Sequence, residues 1–317
     1  MRLELQIAAA YGLDLACGDP RWFPHPVKFI GRFALFLEAP LRRRIANARS
    51  AGVVAAVLVV GTTAAITAAA VAGAYRVHPW VGDVASILLL YTTFATRDLA
   101  AHAAAVYRAL AGGDLQLARD RVSRIVGRDT ACLNERGVVR ATVESVAENT
   151  VDGVTAPLFF AALGGPVLAL AYKATSTLDS TFGYKNERYR DFGWASARLD
   201  DLAAWLPSRL TLPLIALAAA LVGMRPVAAW RLGLRDCRQH ASPNSGFGEA
   251  AVAGAIGVQL GVPLHRYGQV MVLPPMGEPI EALDRCHIRG AVRLMLATSL
   301  LTVTVSLLMR VAVGRLL

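Results

Sequence analysis

Long uncharged runs alternate with short arginine-rich stretches along this chain, and the longest run predicts a membrane-spanning helix. Residues 51–75 contain no Asp, Glu, Lys, Arg or His. At about 1.5 Å per helical residue this run covers ~37 Å, more than the ~30 Å hydrocarbon thickness of a bilayer. A second run, residues 81–96, is preceded by Trp80 and shortened by Asp83. Together the two runs predict a membrane hairpin.

The distribution of arginine orients this hairpin. Residues 42–44 and Arg49 are arginines that precede the first run with no acid among them. The positive-inside rule therefore predicts that residues 38–50 face the cytoplasm. The polar segment 97–150 follows the return helix, so we expect it on the same side. These features predict a multi-pass protein of the cell inner (cytoplasmic) membrane.

A third apolar run contains its own interruption. Residues 155–172 are uncharged and long enough to cross a membrane, but residues 164–166 read Gly-Gly-Pro. Proline removes a backbone donor that lipid cannot replace, and the glycines allow a sharp turn. We therefore expect a re-entrant helical hairpin here rather than a straight span.

The remaining apolar runs differ in how well they fit a membrane crossing. Residues 210–224 and 250–264 are 15 residues each, which suits a short crossing or a buried or broken helix equally. Residues 294–309 lie between Arg293 and Arg310, whose side chains can reach opposite headgroup layers, so this run is the better span.

Composition agrees with a membrane protein and excludes other classes. The chain is 55% hydrophobic and 18% charged, with a mean hydropathy of +0.44, which excludes disorder and an ordinary cytosolic enzyme. Four cysteines without a CxxC pair exclude a disulfide scaffold. Strand patterns are weak, so the predicted fold class is all-α: a polytopic integral membrane helical protein with broken or re-entrant helices, in a single membrane-embedded domain over residues 1–317.

The net charge of +10 would suggest nucleic acid in a soluble chain. Here much of the charge lies beside apolar segments, where arginine favours the cytoplasmic side and anionic lipid. We therefore expect membrane lipid, and not nucleic acid, as the partner of the basic residues.

An acidic stripe is the first candidate for chemistry. Three carboxylates recur at every fourth residue, at Glu144, Glu148 and Asp152. A helix would place them on one face, where they repel unless a cation is present. We expect this helix to end at Gly153 and Pro157. Magnesium prefers carboxylate oxygens and would neutralise the repulsion between these carboxylates. Alternatively, Arg140 could neutralise one carboxylate in an ordinary salt-bridge ladder.

The lysines form the second candidate. The chain has only three, Lys28, Lys173 and Lys185, against thirty arginines, and all three lie in polar, turn-rich stretches. A compact ammonium suits a single phosphate or carboxylate oxygen better than a guanidinium does, although three lysines can also remain by chance. Asp179 follows Lys173 in a hydroxyl-rich stretch that could hold a phosphate with its metal, but the spacing matches no Walker A motif.

Two further stretches combine turn residues with polar side chains. RIVGRDT (124–130) contains Arg128, and HASPNSGFGEA (240–250) contains His240, Asn244 and Glu249. Polar turns beside apolar segments often carry function. No HxxxH or HExxH pair supports a zinc site.

Five blocks of this sequence together resemble a known family. They are GDPRWFPHPVKFIGR (18–32), GRDT (127–130), ESVAENTVDGVTAPLFF (144–160), AYKATSTLDSTFGYKNERYRDFGWASARLDDLAAWLPSRLT (171–211) and the glycine-rich block at 240–262. In this order they are similar to the CobD/CbiB family of integral-membrane cobalamin-biosynthesis proteins. The small departure is Val262, where the family leads us to expect a second glycine.

The resemblance implies the activity of an adenosylcobinamide-phosphate synthase. Such an enzyme joins a propionate carboxylate of a corrinoid substrate, adenosylcobyric acid, to (R)-1-aminopropan-2-ol or its O-phosphate. We expect ATP as co-substrate and Mg²⁺ as cofactor, because a carboxylate is a poor acyl donor until it is activated. Other late cobalamin-pathway membrane enzymes are expected partners.

Within the matched blocks we assign roles by chemistry. The predicted metal ligands are Glu144, Glu148 and Asp179. The residues predicted to bind phosphates are Lys173, Lys185 and Arg128, and Lys173 is also assigned a catalytic role. The predicted base is Asp152 or His240. The substrate pocket is expected to include His25, Lys28, Asn149, Asn186 and Asn244.

Other functions remain open. Carboxylates and lysines beside broken apolar segments also occur in membrane transporters, here of a corrinoid or a small anionic solute. A lipid head-group transferase would share magnesium but is expected to carry a DxxDGxxAR run, which is missing. A non-catalytic scaffold for corrinoid enzymes is the third alternative.

Overall fold

The structure, a computed structural model, describes residues 1–20, 22, 24–184, 186–261, 264–266, 269–271 and 274–316. Helices dominate these residues and the strands have only two or three residues each, which confirms the predicted all-α class. The helices are α1 (Leu3–Cys17), α2 (Pro26–Arg44), α3 (Ala48–Val77), α4 (Pro79–Tyr91), α5 (Thr96–Ala111), α6 (Leu115–Val122), α7 (Glu135–Asn149), α8 (Ala156–Phe182), α9 (Trp194–Ala203), α10 (Trp205–Leu221), α11 (Pro226–Asp236), α12 (Ser245–Ile256) and α13 (Cys286–Leu316).

Two short antiparallel strand pairs complete the fold. Strand β1 (Gln259–Leu260) pairs with β4 (Met276–Gly277), so that Gln259 faces Gly277. Strand β2 (Leu264–Arg266) pairs with β3 (Gln269–Met271), so that Leu264 faces Met271.

The described residues contain four helices long and apolar enough to cross a membrane, at Ala48–Val77, Pro79–Ala111, Glu135–Phe182 and Cys286–Ala312. The bent pair Trp194–Ala203 and Trp205–Leu221 adds a fifth if it is taken as one span. The predicted crossings at residues 51–75, 81–96 and 294–309 lie within these segments, so the protein is a multi-pass membrane protein. The described part of residues 250–264 forms no crossing, because α12 ends at Ile256 and Gly257 takes a left-handed conformation.

The helices divide into two compact units. Unit 1 contains Met1–Ala95, Ala156–Ala204 and Val303–Leu317, and unit 2 contains Thr96–Thr155 and Trp205–Thr302. The core of unit 1 lies where α2, α3 and α8 meet. Its buried residues are Ile30, Ala34, Ala51, Ala55, Ala56, Val59, Ala174, Leu178, Phe182 and Phe192. The many alanines allow close helix packing.

Helix α8 is broken where the sequence predicts it. Gly164 and Gly165 have non-helical backbone angles, and Gly165 has a φ of 61° that favours glycine. The rings of Phe160 and Tyr172 stack with centroids 4.9 Å apart. In an unbroken helix twelve residues would separate them by about 18 Å, too far for two side chains to bridge. The chain therefore turns back at the glycine pair, as the predicted hairpin requires.

Unit 2 is built around α12, a helix of mostly small residues that is buried almost throughout. Gly248 lies so close to α7 that a Cβ there would be 2.9 Å from the carbonyl oxygen of Ala147. The absence of a side chain at this position allows α12 to approach α7. This close approach determines which residues of the two helices can interact.

The expected end of the acidic helix at Gly153 and Pro157 is wrong. Helix α7 is followed by a π-helix at Thr150–Thr155, and Ala156 begins α8 without a break. Proline cannot donate the N–H that an α-helix would direct to the Gly153 carbonyl, and a wider turn accommodates this loss. Asp152 lies within this π-helix, whereas Glu144 and Glu148 lie on the α-helical part that precedes it.

Candidate active site

The predicted site residues fall in both units. Unit 2 contains Arg128, Glu144, Glu148, Asn149, Asp152, His240 and Asn244, and unit 1 contains His25, Lys28, Lys173, Asp179 and Asn186. Lys185 lies outside the described residues. Each group is therefore described within its own unit.

In unit 2, Glu144 is held by a cation and by the backbone. Arg128 Nη1 lies 2.7 Å from one carboxylate oxygen of Glu144, and the Gly261 N–H donates to the other at 3.0 Å. Glu144 is buried, whereas Arg128 keeps 19% of its side chain exposed. The ion pair of Glu144 is thus formed with Arg128, and Arg140 also interacts electrostatically with Glu144.

The neighbouring Glu148 connects α7 to α12. The Ser245 hydroxyl, at the start of α12, donates to a carboxylate oxygen of Glu148 at 3.3 Å. Glu148 is only partly buried. A weakly held carboxylate at the edge of a buried cluster remains able to contact a ligand.

Glu249 is the site residue to which the sequence analysis assigned no role. It lies on α12, is 5% exposed, and interacts electrostatically with Glu144, Glu148 and Arg128. We call Glu144, Glu148 and Glu249 with Arg128 the carboxylate cluster. A lone acid among the small residues 245–256 was the sequence signal that could have identified it. The Gly248 contact with α7 brings it to the acidic helix.

Charge in the carboxylate cluster is unbalanced, because its three carboxylates face only the paired guanidinium of Arg128 and the charge of Arg140, which interacts with Glu144. Burial raises the pKa of Glu249 well above its usual value, and the charges of Glu148 and Glu144 raise it further. Arg128 opposes this shift but does not cancel it. The cluster therefore favours a proton or an added cation.

His240 lies beside this cluster. Its Nδ1 accepts the Ser242 N–H at 3.0 Å, and its Nε2 is 3.5 Å from a carboxylate oxygen of Glu249. Because Nδ1 is an acceptor, the neutral ring carries its proton on Nε2. The imidazole therefore directs its N–H toward Glu249.

The other predicted residues of unit 2 have mixed surroundings. Asn149 is partly buried, and its amide donates to the Ser145 carbonyl at 2.9 Å. Asp152 is partly buried within the π-helix. Asn244 is buried, and its side-chain oxygen accepts from Ser208 and Arg209, each at 3.2 Å. Asn244 therefore ties α10 to the start of α12.

In unit 1, His25 begins α2. Its Nδ1 accepts the Val27 N–H at 3.3 Å, and its Nε2 is 3.4 Å from Asp19. Pro26 follows at the first helical position, where a missing N–H costs little. His25 is thus the N-cap of α2, and Lys28 lies exposed in the first turn that follows.

Lys173 and Asp179 are partly buried on the second half of α8. The hydroxyl groups of Thr175, Thr177 and Ser180 donate to carbonyls four residues earlier in the same helix. These hydroxyl protons are therefore used within α8, whose C-terminal end carries a partial negative charge. In this arrangement they are not donors for a phosphate.

Asn186 is exposed and caps the turn that follows α8. Its side-chain oxygen accepts the Tyr189 N–H at 2.9 Å. Among the described residues, no group of three or more His, Cys, Asp or Glu side chains is arranged to hold a metal ion. The predicted magnesium ligands are thus divided between the units, with Glu144 and Glu148 in unit 2 and Asp179 in unit 1.

The fold and the carboxylate cluster define a multi-pass membrane protein with a buried acidic site. Residues 7–295 match the family described as CobD/Cbib protein. The chain is 52% identical over 303 residues to the cobalamin biosynthesis protein CobD of Geobacter metallireducens, covering 96% of this chain and 95% of that protein. The chain therefore belongs to the CobD/CbiB family, as its sequence blocks predict.

Two further relatives support this assignment. The cobalamin biosynthesis protein CobD of Pelobacter propionicus is 48% identical over 301 residues, covering 95% of this chain and 93% of that protein. The cobalamin biosynthesis protein CbiB of Salmonella typhi is 45% identical over 295 residues, covering 92% of each chain. No solved structure matches this chain.

Proposed function

We propose that this protein is an amide-forming ligase of the inner membrane that joins adenosylcobyric acid to (R)-1-aminopropan-2-ol or its O-phosphate. The product would be adenosylcobinamide or its phosphate. Membership of the CobD/CbiB family assigns the chain to cobalamin biosynthesis. The ligation, the use of ATP and the particular membrane are our proposal.

The carboxylate cluster is the observation that carries this proposal. It places Glu144, Glu148 and the buried Glu249 beside Arg128. Three of these four residues, Arg128, Glu144 and Glu148, come from the blocks that resemble the family between residues 127 and 160. Excess negative charge in a buried site is costly for stability, and functional sites often contain such groups.

The proposed chemistry has two steps. A propionate carboxylate of the corrinoid attacks the γ-phosphorus of ATP, which forms an acyl phosphate and releases ADP. The neutral amine then attacks the acyl carbon, the C–O bond to phosphate breaks, and the amine gives up a proton to a base. Arg128 would stabilise phosphoryl oxygens in the first step. Lys173 lies in the other unit and stays a phosphate ligand predicted from the sequence.

Glu144 and Glu148 would hold Mg²⁺, while Asp179 lies in the other unit and stays a metal ligand predicted from the sequence. The donor type fits, because magnesium prefers carboxylate oxygens and usually binds only a few of them together with substrate phosphate. When bound, the ion would screen the negative charge of the phosphates. Asp152 and His240 remain the proposed bases, and Glu249 joins them because it lies buried beside His240.

The test is to incubate the purified protein in detergent with adenosylcobyric acid, ATP, magnesium and either amine. We expect ATP-dependent appearance of the amide mass, with ADP formed in equal amount. Detergent provides no second compartment, so product formation also separates a ligase from a transporter. Corrinoid binding without turnover would contradict the proposal and support a scaffold.

Matched variants test the cluster itself. Glu148→Gln should lower turnover by about 100-fold or more, as expected for loss of a charged group at the reacting centre. Glu135→Gln, at the exposed start of the same helix, should stay within about twofold of the parent. Lys173→Ala should also abolish turnover while the protein stays monodisperse. A near-normal rate would remove the changed residue from the site.

A further inference from the structure

Unit 1 contains a buried carboxylate that the proposed chemistry does not use. Glu38 lies on α2 with only 5% of its side chain exposed. It accepts hydrogen bonds from Arg42 Nε at 3.0 Å, from Arg188 Nε at 3.1 Å and Nη2 at 3.0 Å, and from the Tyr189 hydroxyl at 3.3 Å. Two of these three partners belong to the segment that follows α8, not to α2.

Arg42 strengthens the same connection. Its Nη2 donates to the backbone carbonyl of Arg188 at 2.6 Å. Its guanidinium also lies over the ring of Phe192, 4.3 Å from the centroid. One arginine of α2 thus contacts Glu38, the backbone of the following segment and an aromatic ring of that segment.

The backbone of this segment, residues 186–193, is closely fitted to the unit. A Cβ on Gly193 would be 1.7 Å from the Phe182 carbonyl oxygen at the end of α8. At the other end, Asn186 caps the turn through the Tyr189 N–H. The segment is therefore fixed at its two ends by its own turn geometry and in its middle by Glu38.

Glu38 makes the fixation strong, because its bonds to arginine are charge-assisted. If the segment left this position, a buried carboxylate would lose the Arg188 and Tyr189 donors, which is a large cost. Arg188 itself is 67% exposed, so its burial does not hold the segment. The carboxylate of Glu38 holds the Arg188–Tyr189 part of the segment, and Phe192, buried in the core of unit 1, holds its far end.

We propose that Glu38 is a positioning residue that holds segment 186–193 in place so that Asn186, at its start, faces substrate. This inference rests on the proposed function and on the assignment of Asn186 to the substrate pocket in the sequence analysis. Glu38 itself touches neither substrate nor the reacting atoms.

The test combines hydrogen exchange with kinetics on the full-length protein in detergent. Glu38→Gln should raise amide exchange in residues 187–193 by about tenfold or more, because charge-assisted bonds are lost. Exchange in α3 should not change. The KM for adenosylcobyric acid should rise by a similar factor, with kcat within about twofold of the parent.

Asp191→Asn provides the matched control. Asp191 lies in the same segment and pairs with Arg49 at 2.9 Å, but both side chains are more than half exposed. Exposed pairs contribute little, so exchange and KM should remain near the parent values. Arg188→Gln removes two of the Glu38 bonds from the exposed side, and it serves as the second variant if Glu38→Gln does not fold.

Each result has a defined meaning. Unchanged exchange in residues 187–193 in both Glu38→Gln and Arg188→Gln would overturn the anchoring, whatever the activity. Raised exchange with unchanged KM would overturn the positioning role. If the parent forms no amide at all, the proposed function fails, and the exchange data still decide whether Glu38 holds the segment.

Discussion

Glu249 and Arg128 show how single side chains determine the character of the buried site in unit 2. Glu249 lies 3.5 Å from His240 Nε2 and faces the charges of two other glutamates, whereas Glu144 is paired directly with Arg128. The same residue type therefore has different chemistry at two positions a short distance apart. Burial and partners, not residue identity, set this difference.

The first prediction concerns the Arg128–Glu144 pair. Arg128→Ala leaves a buried carboxylate without its cation, and we expect the free energy of unfolding to fall by about 3 kcal/mol. Arg128→Ala combined with Glu144→Gln should recover most of this loss, because the unpaired charge is gone. The measurement is the apparent unfolding temperature in one detergent. Equal destabilisation of single and double variants would contradict the prediction.

The second prediction is a pH dependence. Burial keeps Glu249 protonated to a higher pH in the folded state than in the unfolded chain, whose glutamate pKa is about 4.3. Between these two pKa values the folded state binds more protons, so wild-type stability falls as pH rises. The Glu249→Gln variant should lose the part of this fall in stability that comes from Glu249. The measurement is the apparent unfolding temperature of both proteins from about pH 4.5 to 8 in the presence of a chelator. The same dependence on pH in both proteins would refute the prediction.

Among the helices and turns, two interruptions of regular helix shape the molecule. The π-helix at Thr150–Thr155 contains Asp152 and lies next to a proline that an α-helix could not accommodate. The glycine pair at 164 and 165 reverses α8. Both interruptions occur at prolines or glycines, for local steric reasons.

The third prediction concerns the reversal. Gly165 has φ 61° and ψ −150°, a conformation that essentially only glycine adopts. Gly165→Ala should therefore lower stability by about 1–3 kcal/mol. Gly73→Ala on α3, where a Cβ meets nothing within 4 Å, is the control and should leave stability unchanged or slightly raise it. Equal unfolding temperatures for the two variants would contradict a required turn at Gly165.

For the whole molecule, the arrangement of apolar helices determines the surroundings of the chemistry. Helix α3 is a 30-residue apolar helix with arginines just before it. Its length permits a full membrane crossing, which would place its two ends in different compartments. Orientation then decides from which side a water-soluble substrate can enter.

The fourth prediction tests that orientation. In a variant whose four cysteines are serine, His78→Cys at the end of α3 should react with an impermeant maleimide added to intact cells. Arg44→Cys should react only after the membrane is permeabilised, because the positive-inside rule places it in the cytoplasm. The reverse labelling pattern would invert the predicted topology.

The sequence alone determined the class of protein, the membrane segments and the family. Uncharged length, arginine position and the Gly-Gly-Pro break at 164–166 are local properties, and they fix helices and breaks because lipid tolerates no unsatisfied backbone. The same local reasoning selected Glu144 and Glu148 but misjudged the helix at Pro157, where a π-helix replaced the expected end.

Only the tertiary structure decided which side chains meet. Glu249 joined the cluster because Gly248 allows α12 to contact α7, and Glu38 met Arg188 from 150 residues away. The tertiary structure also showed that His25 caps α2 and that Asn244 ties α10 to the start of α12. The hydroxyl groups of α8 donate to carbonyls of their own helix. Packing between distant segments carries no periodic signal in the sequence, because it depends on the shapes of both surfaces at once.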